Sequence, residues 1–145
     1  MSHYRRNYIE GGTFFFTVKL ADPKSRLLVE HIDLLREAYA FVQKRYPFET
    51  IAICVMPNHL HAVWTLPDSD SNYSLRWRLI KTRFSHHFAA SNVLSASKQR
   101  RHEKGIWQRR FYEHTVHDEA DLQRVVDYVH FNPVKHGFSA SVKDW

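Results

Sequence analysis

The pattern of apolar and polar positions divides the chain into short, alternating strands and helices. Residues 13–20 are rich in aromatic and β-branched side chains, which is typical of a strand. Residues 50–56 and 59–66 predict two further strands, and the tight turn between them indicates a hairpin. A fourth strand is predicted around residues 113–116.

Three helices are predicted from apolar residues that recur at steps of three and four positions. Their apolar faces are formed by Leu28, Ile32, Leu35, Tyr39 and Val42, by Trp77, Ile80, Phe84 and Phe88, and by Leu122, Val125, Val126 and Val129. Ser74 and Asp118 are the predicted N-caps of the second and third helices. Asn132-Pro133 is predicted to end the third helix, because a residue before proline is disfavoured in the helical region.

This order of elements predicts an α+β fold. The segment β-α-β-β-α-β closes naturally as a ferredoxin-like antiparallel sheet with two helices on one face, and an additional C-terminal helix follows. The 145 residues contain no internal repeat, so a single domain spanning residues 1–145 is expected. Since folds of this kind host many functions, the function has to be inferred from particular residues.

Composition and charge narrow the class of partner. Lys and Arg outnumber Asp and Glu by 21 to 15 and the pI is about 9.6, which indicates a polyanionic partner, although simple solubility also explains such a charge. Cys54 is the only cysteine and lies in an apolar run, so it is expected to be a core thiol in a reducing cytoplasm. No stretch is long and apolar enough to predict a membrane span.

His59 and His61 are the first candidates for chemistry. Side chains alternate along a strand, so both imidazoles lie on one face of the third strand and can reach one metal ion. The alternative is a pair satisfied by ordinary hydrogen bonds. With 11 histidines in the chain, such spacing also arises readily by chance.

Tyr128 and Asn132 are candidates on the last helix. Tyr128 lies at the edge of the apolar stripe, about 60° beyond Val125 at 100° per residue. Asn132 follows one turn later on the same side. The structural alternatives are a packed tyrosine ring and a helix C-terminal cap at Asn132.

Four segments of the sequence together resemble the REP-associated tyrosine transposases, which belong to the HUH single-tyrosine nucleases. The segments are residues 4–13 (YRRNYIEGGT), 56–64 (MPNHLHAVW), 106–114 (IWQRRFYEH) and 127–137 (DYVHFNPVKHG). They span nearly the whole chain in the order of that family. Their co-occurrence is far more specific than the His-x-His pair alone.

The resemblance implies a bacterial enzyme that binds repetitive extragenic palindromes and cleaves their single strand near a hairpin. It implies that His59 and His61 are metal ligands, that Asn132 is the third candidate ligand and that Tyr128 is the nucleophile. The product would be a 5′-phosphotyrosine link and a free 3′-hydroxyl. Because the link conserves the bond energy, rejoining would need no nucleotide cofactor.

The expected cofactor is Mg²⁺ or Mn²⁺, because phosphate and water oxygens complete the coordination that the imidazoles begin. Several basic residues are candidates for phosphate contact, and about half of them are expected to be solvated surface charges. Trp107 and Tyr112 are candidates for stacking on unpaired bases, with a core role as the alternative. The candidate DNA-binding residues are Arg5, Arg6, Arg76, Arg83, Lys98, Arg100, Arg101, Trp107, Arg109 and Arg110.

Two other functions stay open on the sequence. One is a non-catalytic ferredoxin-like domain that binds nucleic acid, and the other is a small histidine-based metalloenzyme without an evident carboxylate base. The expected partner is single-stranded or hairpin DNA. A monomer is favoured over a homodimer because Tyr128 can serve the histidines of its own chain.

Overall fold

The computed structural model describes residues 8–88 and 105–135. Within these residues the strands are β1 (Thr13–Lys19), β2 (Glu49–Val55), β3 (His59–Thr65) and β4 (Tyr112–Thr115). The helices are α1 (Leu27–Glu30), α2 (Ile32–Arg45), α3 (Tyr73–Ser85) and α4 (Glu119–Lys135).

The four strands form one sheet in the order β2-β3-β1-β4, and every neighbouring pair is antiparallel. This order confirms the predicted ferredoxin-like arrangement. Helix α2 lies in the connection from β1 to the outer strand β2, and helix α3 lies in the connection from β3 to the outer strand β4. As a result, β1 and β3 lie side by side at the centre.

One face of the sheet packs on α2 and α3. Phe14 and Phe16 of β1 and Leu60 and Trp64 of β3 belong to this core, and the Trp64 ring stacks on Trp77 of α3 with centroids 4.2 Å apart. The alternating side chains of the two central strands explain why these residues all point to the same side. Leu60, Ala62, Trp64 and Leu66, which alternate with the histidines along this part of the chain, all belong to the core.

The other face of the sheet packs on α4. Phe15 and Val63 from the sheet join Val125 and Val129 from the helix in a second, smaller apolar cluster. Helix α4 runs against β2 and β3. The histidine face of β3 therefore lies on the same side of the sheet as this helix.

The first predicted helix is broken in the structure. α1 and α2 are separated at His31, whose φ of −123° and ψ of 41° lie outside the helical region. The apolar spacing runs without interruption through the break, so the pattern held no sign of it. The His31 ring packs against Phe88 with centroids 5.0 Å apart, a contact between distant parts of the chain.

Two predicted helix ends are wrong and one is confirmed. Asn72, not Ser74, caps α3, since its side chain accepts the Leu75 N–H at 3.1 Å. The Asp118 carboxylate accepts the Asp121 N–H at 2.7 Å, as expected of the N-cap of α4. Helix α4 continues past Asn132 and Pro133 to Lys135.

Proline lacks the backbone N–H and its ring crowds the carbonyl of the residue four positions earlier. Pro133 lies only two residues before the end of α4, so few helical hydrogen bonds are affected and the backbone remains helical to Lys135. Cys54 is buried, as predicted, and burial raises the pKa of its thiol to about 11.

Among residues 8–88 and 105–135, no helix has the length and apolar character needed to cross a membrane.

Candidate active site

His59 and His61 lie on the α4 side of β3, with ring centroids 4.9 Å apart and ring planes at 80°. His59 is half-buried and begins the strand, whereas His61 is only 3% exposed and lies at the centre of the sheet. The rings are close enough for one ion to contact a nitrogen of each. The predicted placement of both imidazoles on one face is confirmed.

The Nδ1 atom of each histidine is held by a neighbouring polar side chain. His59 Nδ1 donates to Asn58 Oδ1 at 2.7 Å, and Asn58 Nδ2 in turn donates to the Pro23 carbonyl at 3.0 Å. His61 Nδ1 lies 2.8 Å from Thr17 Oγ1. When Nδ1 carries the proton in such a pair, Nε2 presents its lone pair, which is the arrangement that metal-binding histidines commonly use.

Tyr128 meets this pair from the opposing helix. Its ring packs edge-on against His61, with centroids 5.2 Å apart, and against Phe15 at 5.7 Å. The side chain is 40% exposed, so a large substrate can reach it. The Tyr128 ring therefore lies against one member of the histidine pair within the same chain.

Asn132 lies one turn beyond Tyr128 and is completely buried. Because α4 continues past it, the alternative reading of Asn132 as a C-terminal cap is wrong. Within the part of the chain that the structure describes, neither Oδ1 nor Nδ2 of Asn132 has a hydrogen-bond partner. A buried amide without partners costs about 1–3 kcal/mol, so its retention needs a reason beyond packing.

The donor set fits a divalent cation that also binds phosphate. The described residues include no cluster of three His, Cys, Asp or Glu side chains, so a third protein ligand would have to come from another residue type. The buried amide of Asn132 is such a donor. Cys54 pairs with His61 in the sheet register, and burial raises the pKa of its thiol to about 11.

The neighbouring strand β1 contributes further residues to the same face. In the β1–β3 register Thr17 lies opposite His61, and Lys19 lies opposite His59. Phe15 stacks on His61 with centroids 5.6 Å apart and ring planes at 14°. The exposed Lys19 places a positive charge beside the histidine pair.

A buried carboxylate joins the start of α4 to β4. Asp121 accepts the backbone N–H of His117 at 2.9 Å and contacts His114 Nε2 of β4 at 2.9 Å and Arg124 at 3.1 Å. The His117 N–H, together with His114 and Arg124, outweighs desolvation and lowers the pKa of Asp121 to about 2. The contact to β4 fixes the helix that carries Tyr128 two turns later.

The arginines and lysine predicted to contact phosphate fall into three groups: those outside the described residues, those exposed near β4, and those paired within the fold, which are described in the next two paragraphs. Arg5, Arg6, Lys98, Arg100 and Arg101 lie outside the described residues. Arg109 and Arg110 are exposed just before β4. Lys81 Nζ donates to the carbonyls of Gln108 and Arg109 at 3.1 and 3.4 Å, which ties this segment to α3.

Arg76 is placed where it cannot meet a phosphate. Its guanidinium is buried and paired with Asp70 at 2.9 Å, and it also donates to the carbonyls of Tyr46, Pro47 and Asn72. The predicted DNA contact is therefore replaced by a structural role. Helical spacing placed Arg76 beside the apolar stripe but did not reveal that a loop covers it.

Arg83 and Trp107 also make contacts within the protein on the side of the sheet that faces α2 and α3. Arg83 forms a two-pronged ion pair with Glu37 and its guanidinium lies 3.6 Å from the Phe41 ring centroid, between α2 and α3 on the far side of the sheet. Trp107 is buried against Phe84 at 5.6 Å, so of its two predicted roles the structure shows the core role.

Two residues of the site escaped the sequence analysis. Thr17 and Asn58 hold the histidine Nδ1 atoms. Thr17 lies outside the four motifs, and Asn58 lies within the segment 56–64 but was assigned no role there. The register between β1 and β3 is the observation that would have identified Thr17, and a sequence pattern does not provide it.

The chain is similar to known transposases over its whole length. The sequence profile described as IS200-like transposase matches residues 21–132. A REP-associated tyrosine transposase of Escherichia coli K12 is 44% identical over 100% of this chain and 80% of its own length. A Haemophilus influenzae protein, provisionally given the same description, is 43% identical over 100% of this chain and 83% of its own length.

A solved structure agrees with these sequence matches. The structure of a REP-associated tyrosine transposase bound to a REP hairpin superposes with a TM-score of 0.87 at 44% identity, covering 100% of this chain and 80% of that one. The agreement extends over the sheet and helices described above.

Proposed function

The chain belongs to the IS200-like transposase family of DNA-cleaving enzymes, and from this premise we propose that it cuts and rejoins single-stranded DNA with Tyr128 as the nucleophile. The proposed substrate is the hairpin of a repetitive extragenic palindrome, the DNA to which its solved relative is bound. The observation that carries the proposal is the packing of Tyr128 on His61, 5.2 Å between centroids. A DNA substrate in a bacterial cell would place the reaction in the cytoplasm.

The first step is an in-line attack of the Tyr128 hydroxyl oxygen on the scissile phosphorus. The O–P bond to tyrosine forms, the bond from phosphorus to the 3′-oxygen breaks, and the products are a 5′-phosphotyrosine and a 3′-hydroxyl. The phenol proton leaves to solvent, which the exposure of Tyr128 permits, and the departing 3′-oxygen takes up a proton. Attack by a 3′-hydroxyl on the phosphotyrosine reverses the step.

His59, His61 and Asn132 would hold Mg²⁺ or Mn²⁺. Bound there, the cation would withdraw charge from a non-bridging phosphate oxygen and help to orient the phosphate. The Nδ1 contacts to Asn58 and Thr17 fix the two imidazole rings before substrate arrives. Lys19, exposed opposite His59, would add a positive charge near the phosphate.

Arg109 and Arg110 are proposed to contact the DNA backbone from the edge of the sheet at β4. Arg5, Arg6, Lys98, Arg100 and Arg101 stay candidates for the same role. Tyr128 meets the histidine of its own chain, so the site does not need a second copy. We therefore propose that a monomer carries out the cleavage step.

The test is covalent capture of a 3′-labelled single-stranded oligonucleotide that contains a palindromic hairpin. With Mg²⁺ or Mn²⁺ the protein is expected to give a labelled band that survives denaturing electrophoresis, and Tyr128→Phe is expected to give none. Tyr46→Phe, on the opposite side of the sheet, is the matched control and should react normally. Binding of the oligonucleotide without any labelled band would favour a non-catalytic DNA-binding domain instead.

A further inference from the structure

Tyr112 lies in line with the metal-binding residues across the sheet. In the register His61 of β3 lies opposite Thr17 of β1, and Thr17 lies opposite Tyr112 of β4. Directly opposed residues point to the same face. Two strand spacings separate Tyr112 from His61, about 10 Å, which is the reach of a nucleotide from its phosphate to the far edge of its base.

A series of ring contacts connects Tyr112 with Tyr128, the proposed nucleophile. The Tyr112 ring meets the edge of Phe15 at 6.2 Å between centroids, and Phe15 in turn contacts both His61 and Tyr128. Tyr112 is 55% exposed, whereas Phe15 beneath it is buried. The outer side of the Tyr112 ring is therefore available to a ligand that lies over this end of the sheet.

The alternative role for the Tyr112 side chain is to shield Phe15 from solvent. Any apolar residue of similar size would serve that purpose on the outer strand β4, and an aromatic ring would not be required. The exposed Arg109 and Arg110 stand shortly before Tyr112, so positive charge and an aromatic ring occur together on one edge. That combination is typical of surfaces that bind single-stranded nucleic acid.

We propose that Tyr112 is a positioning residue that stacks on the base of an unpaired nucleotide next to the scissile phosphate. The inference rests on the function proposed above and adds how the site selects single-stranded substrate. Every base has a π face, so stacking tolerates different sequences. A base inside a duplex is already stacked on its neighbours and cannot offer that face.

The experiment measures DNA affinity in a Tyr128→Phe background, where no cleavage intervenes. Fluorescence anisotropy is recorded with a hairpin oligonucleotide and with analogues in which each unpaired nucleotide at the foot of the hairpin is made abasic in turn. Tyr112→Leu is expected to weaken binding roughly 5- to 150-fold, the range of one base–aromatic stack. Tyr112→Phe keeps the ring and is expected to bind as the parent does.

The abasic analogues separate stacking from a structural role. At one position the parent is expected to lose as much affinity as Tyr112→Leu loses, and the two changes together should cost no more than either alone. Phe41→Leu is the control, since Phe41 is 44% exposed but lies on α2 across the sheet. It should leave the affinity unchanged.

Three results would overturn the inference: unchanged affinity in Tyr112→Leu, an equal loss on every abasic analogue, or an equal loss in Phe41→Leu. The affinity series needs no cleavage, so it decides the role of Tyr112 separately from the proposed function. If Tyr128 forms no adduct while the series behaves as expected, the nuclease proposal fails and the stacking surface stands.

Discussion

At the scale of single residues, hydrogen bonds to Nδ1 determine how the two imidazoles face the substrate. Thr17 Oγ1 holds His61 and Asn58 Oδ1 holds His59. Each contact fixes a ring orientation, and in the tautomer with Nδ1 protonated it leaves the Nε2 lone pair available for the proposed metal ion. The identity of these two polar residues should therefore affect metal affinity as well as geometry.

Thr17→Val tests this orientation. Valine has nearly the same shape but offers no oxygen to His61 Nδ1. Loss of an outer-shell partner commonly lowers metal affinity about 10- to 100-fold, so the Mn²⁺ concentration that half-saturates adduct formation should rise by that factor. Thr17→Ser, which keeps the hydroxyl, should resemble the parent. An unchanged Mn²⁺ dependence in Thr17→Val would show that the contact has no part in metal binding.

Asn132→Leu tests the buried amide, whose two polar atoms have no hydrogen-bond partner among the described residues. Leucine removes both atoms and fills a similar space, so the free energy of unfolding should rise by about 1 kcal/mol. Adduct formation should fall sharply because a candidate ligand is lost. Urea unfolding and the covalent assay, performed on the same preparation, check both effects. A less stable but fully active variant would contradict the ligand role.

The sequence predicted the face of β3 on which His59 and His61 lie, because strand alternation is a local property. It did not predict Thr17, Asn58 or the burial of Asn132. Those depend on strand register and on where α4 crosses the sheet, which are set by contacts between distant segments. The two histidines were therefore accessible from pattern alone, whereas the residues that orient them were not.

At the scale of elements, the fold of the site depends on how α4 is attached to the sheet. Val125 and Val129 supply its apolar contact, and Asp121 joins its first turn to His114 of β4. Tyr128 is two turns farther along the same helix. A change at either attachment should therefore move Tyr128, the proposed nucleophile, relative to the histidines.

The Asp121 carboxylate should give the protein a measurable acid sensitivity. Its pKa in the folded state is lowered to about 2, whereas an unfolded Asp titrates near pH 3.9. A lowered folded pKa stabilises the fold above the unfolded value, and that contribution is lost as the pH falls from about 4 to about 2. Urea unfolding across this range should show a smaller decline for Asp121→Asn than for the parent. Parallel curves for the two proteins would contradict the assignment.

Arg76→Leu tests the structural role of the buried ion pair between α3 and the loop that precedes it. Removing one partner of a buried pair costs about 3–5 kcal/mol, and the lower end is expected because Asp70 is partly exposed. Denaturant unfolding measures this loss. The DNA affinity of the folded fraction should not change, because the guanidinium is not accessible. Weaker binding without loss of stability would restore the phosphate contact predicted from the sequence.

Element boundaries show where sequence patterns stop being informative. The strands and the amphipathic helices were predicted because each has its own periodicity. The break at His31 and the continuation of α4 through Pro133 were not, since neither changes the apolar spacing. The His31 ring packs on Phe88 at the break, and Pro133 lies only two residues before the end of α4, where a proline costs little.

At the scale of the whole molecule, the two faces of the sheet have different roles: one packs on the main apolar core, and the other carries the candidate active site. α2 and α3 cover one face with a large apolar core, and Arg76, Arg83 and Trp107 belong to that side. The other face carries the histidines, Thr17, Tyr112 and α4. The net charge of +6 predicted a polyanionic partner, as the proposed DNA substrate is, but did not distinguish the basic residues of the two faces.

The most direct test of the central claim is to identify the atom that becomes bonded to DNA. The adduct formed with a hairpin oligonucleotide and Mn²⁺ is digested by protease and nuclease, and the remaining nucleotide is located by tandem mass spectrometry. The account predicts a 5′-phosphate on the phenol oxygen of Tyr128 alone, and no adduct in His61→Ala. A nucleotide attached to any other side chain, or to Tyr128 equally well after removal of both histidines, would contradict it.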